Sequence, residues 1–96
     1  MNGLNSDFIL NPKLSWRAKG IVLGIIVLNK KKENINILKL ARFSSEGKDT
    51  VRNTINDLIE KGFLIRKAIH SPQGRISKWD YTITNKCLNR KEVING

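Results

Sequence analysis

Apolar residues recur every three to four positions over residues 48–60, a spacing that predicts an amphipathic helix. Its buried face would carry Val51, Ile55, Leu58 and Ile59. The positions between them are polar and would face solvent. Gly62 lies just beyond the last apolar position, where glycine commonly ends a helix.

A first helix is predicted over residues 15–29, with Ser15 as its N-cap. One apolar stripe, which we expect to face the core, consists of Ala18, Ile21, Val22, Ile25 and Leu28. A second stripe consists of Trp16, Leu23 and Val27, so the helix is apolar on nearly all sides. We expect this second stripe to contact a second copy of the chain, a partner protein or the chain's own termini. Trp16 has the further alternative of stacking on a nucleic-acid base.

Between these two helices the pattern predicts a basic loop, a short helix and a tight turn. The loop, residues 29–34, is either solvated or in contact with phosphate, depending on the direction in which it faces. Ile35 would form a strand of one or two residues, and Asn36 would cap a helix over residues 37–43. The turn, residues 44–47, contains Ser45 as the expected N-cap of the helix that follows.

The period of the pattern changes from 3.6 to 2 after residue 62, which predicts β-strands over residues 63–69 and 76–84. Pro72 and Gly74 lie between them and favour a turn, so the strands would form a hairpin with a polar, cationic tip. Alternation in the second strand gives one face that we expect to be directed at the core, formed by Trp79, Tyr81 and Ile83.

This order of elements predicts an α+β fold of the winged helix-turn-helix type, a three-helix bundle with a C-terminal β-hairpin as the wing. The domain would cover residues 15–84 and follow an N-terminal segment, residues 1–14. Residues 85–96 would form a tail or a short helix that docks through Leu88, Val93 and Ile94.

The composition favours a polyanionic partner. The chain has 96 residues, enough for a single domain, and a formal net charge of +10. Nucleic acid is the first candidate and an anionic membrane surface the second. The N-terminus lacks the pattern of a secretory signal, and the longest apolar run, residues 21–28, is far shorter than the roughly 20 residues of a membrane span. We therefore expect a soluble, cytoplasmic protein.

Residues suited to catalysis or metal binding are few. One cysteine, Cys87, and one histidine, His70, allow neither an internal disulfide nor the usual Cys- and His-based sites. The carboxylates are scattered, without the spacing of a paired acid–base or two-metal site. We therefore predict no enzymatic activity, no metal, no cofactor and no small-molecule substrate.

In a winged helix the helix after the turn is the recognition helix, which enters the major groove of DNA. The residues predicted to contact bases or phosphates there are Lys48, Asp49, Arg52, Asn53 and Asn56. Arg pairs with guanine, Asn pairs with adenine, and a carboxylate accepts a hydrogen bond from cytosine. Asp49 has the alternative of a local cap or ion pair. A solvated polar face is the general alternative for the whole set.

Further DNA contacts are predicted in the turn and the wing. They come from Ser45, Ser71, Gln73, Arg75 and Lys78. The wing would either follow the phosphate backbone or enter the minor groove. Arg17 and Lys19, in the first helix, are either phosphate contacts or members of a solvated face.

Residues 10–20, Leu-Asn-Pro-Lys-Leu-Ser-Trp-Arg-Ala-Lys-Gly, resemble the opening of a winged-helix domain in replication initiation proteins of phages and plasmids from low-GC Gram-positive bacteria. Residues 47–52 resemble the recognition helix of that family, and residues 74–75 with 79–81 resemble its wing. The resemblance covers about residues 8–84 through short matches that are specific in combination. It implies an origin-binding or DNA-binding domain, which a second domain follows in longer relatives. We expect this chain to be an excised domain or a short stand-alone version.

The predicted function is sequence-specific binding of double-stranded DNA. Replication initiation is favoured over transcriptional regulation because of the resemblance. The alternative of a different class is a protein–protein interaction module in a replication or regulatory complex, and the stripe of Trp16, Leu23 and Val27 supports it. A homodimer through that stripe is compatible with both functions.

Overall fold

Helices and one β-hairpin make up the described part of the chain, so the predicted α+β class is confirmed. The structure, a computed structural model, describes residues 7–88. The elements in order are a 3₁₀ turn (Asp7–Leu10), α1 (Trp16–Lys30), α2 (Ile37–Arg42), α3 (Lys48–Glu60), β1 (Leu64–His70), β2 (Ile76–Ile83) and α4 (Asn85–Leu88). Val93 and Ile94, which were predicted to dock on the domain, lie outside the described residues.

Both α1 and α2 begin at a side chain that accepts a hydrogen bond from a backbone N–H of the first turn. The Oγ of Ser15 accepts from the N–H of Ala18 at 3.1 Å, and the Oδ1 of Asn36 accepts from the N–H of Lys39 at 2.8 Å. Both predicted caps are therefore confirmed.

The predicted cap of the third helix, Ser45, is wrong. α3 begins after Gly47, whose extended backbone takes the cap position without a side-chain hydrogen bond. One residue earlier in the turn, the Oγ of Ser44 accepts a hydrogen bond from the N–H of Glu46 at 3.1 Å. This local bond stabilises a turn where the helix was expected to start, because serine side chains compete with helical hydrogen bonding.

α3 ends in a Schellman motif. The N–H of Phe63 donates to the carbonyl of Leu58 at 2.9 Å, and the N–H of Gly62 donates to the carbonyl of Ile59 at 3.1 Å. Gly62 has φ +81°, a left-handed conformation that a β-carbon disfavours. The predicted role of Gly62 is confirmed, and the motif directs the chain from α3 into β1.

The core is formed by one face of α1, one face of α3 and the base of the hairpin. Most of the predicted α1 stripe is buried, with Ile21 partly exposed. The predicted face of α3 is confirmed, since Val51, Ile55 and Leu58 are buried and Ile59 is half-buried. Leu64 and Tyr81 contribute from the two strands. The core therefore lies behind α3 and leaves the opposite side of that helix in solvent.

β1 and β2 pair antiparallel, with Arg66 opposite Tyr81 and Ala68 opposite Trp79. Opposed residues share a face of a sheet, so Tyr81 and Trp79 are on the same face. Tyr81 is 3% exposed, whereas Trp79 is 38% exposed. The prediction that Trp79 faces the core is therefore wrong, because the core covers only the base of this face and the rest continues into solvent. The guanidinium of Arg66 lies over the Trp79 ring, 4.8 Å from its centroid.

Ile35 is buried, but it does not form the predicted strand. Within residues 7–88, the sheet contains β1 and β2 alone. An isolated apolar residue among polar ones indicates burial, and it carries no information about strand pairing. The prediction of a short strand is wrong for this reason.

The first and last described segments meet at Asn11, which is buried. Its Nδ2 donates to the carbonyls of Cys87 at 3.1 Å and Lys86 at 3.3 Å, and its Oδ1 accepts from the N–H of Lys13 at 3.0 Å. Phe8 and Cys87 are part of the core, and burial raises the pKa of the Cys87 thiol to about 11. The segments on both sides of the helices and hairpin are thus packed into one structure.

Candidate nucleic-acid interface

The residues predicted to read bases lie together on the outer side of α3. A helix turns once in 3.6 residues, so the positions between buried Val51, Ile55 and Leu58 must face away from the core. All members of the predicted set are exposed: Lys48, Asp49, Arg52, Asn53 and Asn56. Their donors and acceptors form one polar surface, which we call the α3 outer face.

The beginning of α3 is open to solvent. Gly47 offers no capping side chain, and an added β-carbon there would meet no atom within 4 Å. The first backbone N–H groups of a helix and the positive end of its dipole attract anions. Lys48 adds a positive charge at this end, and the carboxylate of Asp49 partly offsets it.

Within the α3 outer face, the Nη1 of Arg52 lies 2.9 Å from the Oδ1 of Asp49. The ion pair, one of the alternatives predicted for Asp49, is therefore present. An exposed pair of this kind contributes about 0.2–1 kcal/mol, whereas a bidentate contact between Arg and guanine discriminates by about 1–3 kcal/mol. Arg52 is therefore able to exchange the carboxylate for a base edge at low cost.

The turn before α3 is tied to α1 by an ion pair between Glu46 and Arg17. Ser45 is exposed in this turn, between α2 and α3. Lys19 is 8% exposed, and its Nζ lies 4.3 Å from the centroid of the Trp16 ring. Of the two alternatives given for Lys19, the solvated face is therefore wrong, because its aliphatic stem packs into the helix surface and its ammonium group lies against an aromatic ring.

The hairpin tip forms a second polar group, with Gln73 and Arg75 exposed and Ser71 half-buried. The N–H of Ser71 donates to the carbonyl of Arg75 at 2.7 Å, and the N–H of Gly74 donates to the carbonyl of Ser71 at 2.9 Å. Gly74 has φ +84°, which a glycine accommodates without strain. The backbone of the tip is thus bonded to itself, and its long side chains remain in solvent.

The hairpin carries more positive charge than the predicted site residues indicate. It contains one carboxylate, Asp80, and four cationic side chains: Arg66, Lys67, Arg75 and Lys78. Arg66 and Lys67 were not among the predicted contacts. Because Lys67 is opposite Asp80 and Ile69 is opposite Lys78, both lysines lie on the same face. The signal that could have identified both residues is the pair of adjacent cations, Arg66 and Lys67, within the predicted strand.

The loop between α1 and α2 faces the hairpin. Lys32, Asn34 and Ile35 line a groove whose other side is formed by residues 78–80 of β2. Lys32 has φ +58°, a conformation uncommon for residues other than glycine. In the same loop, the side-chain hydrogen bond from Lys39, 2.9 Å in length, lowers the pKa of Glu33. The loop therefore brings Lys32 to the side of the hairpin that contains Lys78.

The α3 outer face and the hairpin tip are two separate groups. Among residues 7–88, no hydrogen bond or ion pair joins a side chain of one group to a side chain of the other. The hairpin is connected to α3 through the turn at Gly62 and through the packing of its base. The same residues contain no cluster of three or more side chains suited to holding a metal ion.

The stripe predicted for a partner is exposed on α1. Trp16 is 76% exposed, and Leu23 and Val27 are each 41% exposed. None of the helices described between residues 7 and 88 has both the length and the apolar character to cross a membrane.

Comparison of the chain with protein-family models, with curated proteins and with solved structures found no match. The family resemblance of the short motifs therefore stays a prediction. The functional assignment depends on the geometry and charge of the chain itself.

Proposed function

We propose that this chain is a winged helix-turn-helix domain that binds double-stranded DNA in a sequence-specific manner, with α3 as its recognition helix. The observation that carries this proposal is the α3 outer face. It holds two cationic and two amide side chains with one carboxylate, all of them exposed, on the helix that follows the turn. The arrangement of helices and hairpin is compatible with a winged helix.

The chemistry of the α3 outer face suits the edges of base pairs in the major groove, which is wide enough to admit one helix. Arg52 is the candidate for a guanine, and Asn53 and Asn56 are candidates for adenine. Lys48, at the open end of α3, is the candidate for a phosphate. The ion pair with Asp49 holds Arg52 on this face until DNA replaces the carboxylate.

The hairpin is proposed as the wing. Its cationic side chains and the cations of the α1–α2 loop would neutralise phosphates on either side of the groove that α3 occupies. Arg75 and Gln73, at the tip, would contact the backbone or enter the minor groove. The net charge of +10 supports strong, salt-dependent attraction to DNA.

The favoured biological role is binding at a replication origin of a phage or plasmid, and the resemblance of residues 10–20, 47–52, 74–75 and 79–81 supports it. Transcriptional regulation is the second candidate, because the same geometry reads an operator equally well. Either role implies a cytoplasmic protein. An interaction module is the third candidate, and the exposed stripe on α1 favours it.

The proposal is tested by fluorescence anisotropy with a library of duplexes from the genome that carries the gene, across a salt series. We expect one duplex to bind most tightly, with a log–log salt slope of about 0.9 for each phosphate contacted. Uniformly weak binding that disappears at physiological salt would contradict specific DNA binding and would leave the interaction module as the better candidate.

The matched variants are Arg52→Ala and Lys13→Ala, which remove one positive charge each. Lys13 is exposed beside Lys61 and Lys86, near the far end of α3. We expect Arg52→Ala to weaken binding of the preferred duplex by about 1–3 kcal/mol and to reduce discrimination among duplexes. Lys13→Ala should weaken only the electrostatic attraction that the protein has for DNA of any sequence. Equal effects of the two variants would refute the assignment of α3 as the recognition helix.

A further inference from the structure

One face of α1 is apolar, exposed and unnecessary for the core. It carries Trp16, Gly20, Leu23 and Val27, which we call the α1 seam. Successive members are four, three and four residues apart. This is the spacing with which two helices pack side by side along their length. The core is already supplied by the opposite face of α1, through Ala18, Val22, Ile25 and Leu28.

Gly20 has no reason to be a glycine within this chain. It lies in a 15-residue helix, where glycine weakens helical structure relative to alanine. An added β-carbon at Gly20 would meet no atom within 4 Å. Beside it is a groove of about 220 Å³ that Ile21, Leu40 and Phe43 also line. Gly20 therefore leaves a hole in the surface of α1 that a side chain from outside is able to enter.

The seam is complementary to itself. When two identical helices pack antiparallel about a two-fold axis, the residue numbers of each facing pair add up to the same value. With a sum of 43, Trp16 faces Val27 of the second copy, and Gly20 faces Leu23 of the second copy. All four members are used, and each larger residue meets a smaller one. No other molecule is needed to supply the matching surface.

We propose that the α1 seam is the contact between two copies of this chain, packed antiparallel through α1, with Leu23 of each copy beside Gly20 of the other. This proposal does not rest on DNA binding. The exposed rings alone are substantial, since Trp16 is 76% and Phe43, at the edge of the same groove, is 70% exposed. At about 150–250 Å² for each ring, and with the aliphatic members, two copies would bury on the order of 1,000 Å². That area is at the lower limit for a specific interface and is sufficient for a weak dimer.

The net charge of the chain determines whether added salt strengthens or weakens self-association. Each copy carries a formal net charge of +10, so two copies repel each other until salt screens the repulsion. Self-association through an apolar seam should therefore strengthen as salt is added. DNA binding has the opposite dependence. The two activities can thus be separated in one titration, and failure of either one leaves the other measurable.

The first experiment is sedimentation equilibrium of the protein without DNA, across the salt series. We expect a weak monomer–dimer equilibrium whose dissociation constant falls with salt. Trp16→Ala should raise that constant at least about tenfold, because Trp16 is the largest and most exposed member of the seam and truncated interface aromatics commonly have an effect of this size. The control, Ile65→Ala, removes an exposed apolar side chain from the hairpin and should leave the constant unchanged. A monomer at every salt concentration, or equal effects of the two variants, would overturn the proposal.

Cysteine cross-linking tests the register. Gly20→Cys and Leu23→Cys proteins are oxidised separately and as a mixture. The antiparallel seam predicts at least about tenfold more covalent dimer in the mixture than in either protein alone. The native Cys87 is buried and does not compete. A Gly20→Cys protein that cross-links to itself as efficiently as the mixture would indicate a parallel pair and would overturn this register. A Gln73→Cys control, at the hairpin tip, should form no dimer above background.

Discussion

The Nδ2 of Asn11 lies 3.1 Å from the carbonyl oxygen of Cys87, so one side chain joins two segments that are 76 positions apart in the chain. Asn11 is buried, and its amide also binds the carbonyl of Lys86 and the N–H of Lys13. It hydrogen-bonds to three backbone groups where the 3₁₀ turn, the start of α1 and α4 meet. This contact joins the N-terminal segment to α4, beside the core packing of Phe8 and Cys87.

Asn11→Ala should therefore destabilise the fold by about 1–3 kcal/mol, since it removes three hydrogen bonds that a buried side chain makes. The measurement is urea denaturation followed by circular dichroism. Asn34→Ala is the control, because Asn34 is exposed, and we expect a change within about 0.5 kcal/mol. A variant at Asn11 as stable as this control would mean that water satisfies the freed groups.

Two glycine-to-alanine substitutions should have opposite effects on folding stability. Gly62 has φ +81°, so Gly62→Ala should destabilise the protein by roughly 1–2 kcal/mol. Gly20 is helical with open space around it, so Gly20→Ala should stabilise by roughly 0.5–1 kcal/mol. Thermal denaturation at low protein concentration measures both changes on the monomer. Destabilisation by Gly20→Ala under these conditions would show that the glycine has an intramolecular role.

Asp49→Ala should increase the affinity of the protein for DNA of any sequence. The substitution removes a negative charge from the α3 outer face and releases Arg52, whose Nη1 now lies 2.9 Å from the carboxylate. Binding to random duplex should tighten, and the ratio between preferred and random duplex should fall if Asp49 reads a cytosine. The free energy of unfolding should change by less than about 1 kcal/mol because the ion pair is exposed. Anisotropy titrations with both duplexes provide the test, and weaker binding to random duplex would contradict it.

Cys87 should make folding stability depend on pH in the alkaline range. Burial raises the pKa of its thiol from 9.0 to about 11. Above pH 9.0, the pKa of the thiol in the unfolded chain, the unfolded chain releases a proton that the folded chain retains. The contribution of the thiol to folding stability is therefore complete below pH 9.0 and is lost progressively toward pH 11. Urea denaturation of the native protein and of Cys87→Ala over this range should show the steeper loss in the native protein. Identical slopes would contradict the burial of the thiol as a source of the shift.

The elements set by neighbouring residues could be predicted from the sequence. Ser15, Asn36 and Gly62 act on backbone groups a few positions away, so their roles follow from local order. The α3 outer face could be predicted for the same reason, since it is the complement of a short apolar period. The pairing of Arg52 with Asp49 was one of two local alternatives, and the spacing allows both.

Features set by distant residues could not be predicted. Alternation indicates the face that Trp79 shares with Tyr81, but it does not indicate where along the strand the core ends. The partners of Asn11 are 75 and 76 positions away, and no pattern in the sequence marks them. The position of the loop at Lys32 beside β2 depends on the same kind of long-range packing.

The two sides of α3 have no residue in common. Val51, Ile55 and Leu58 hold the helix in place, and the residues of the outer face make no contribution to that burial. Mutations on the outer face are therefore nearly neutral for folding, and selection is able to act there on affinity alone. A population of such chains could change its preferred ligand one substitution at a time without passing through unfolded variants. The same separation makes this helix suitable for randomisation in the laboratory, where most library members should remain folded.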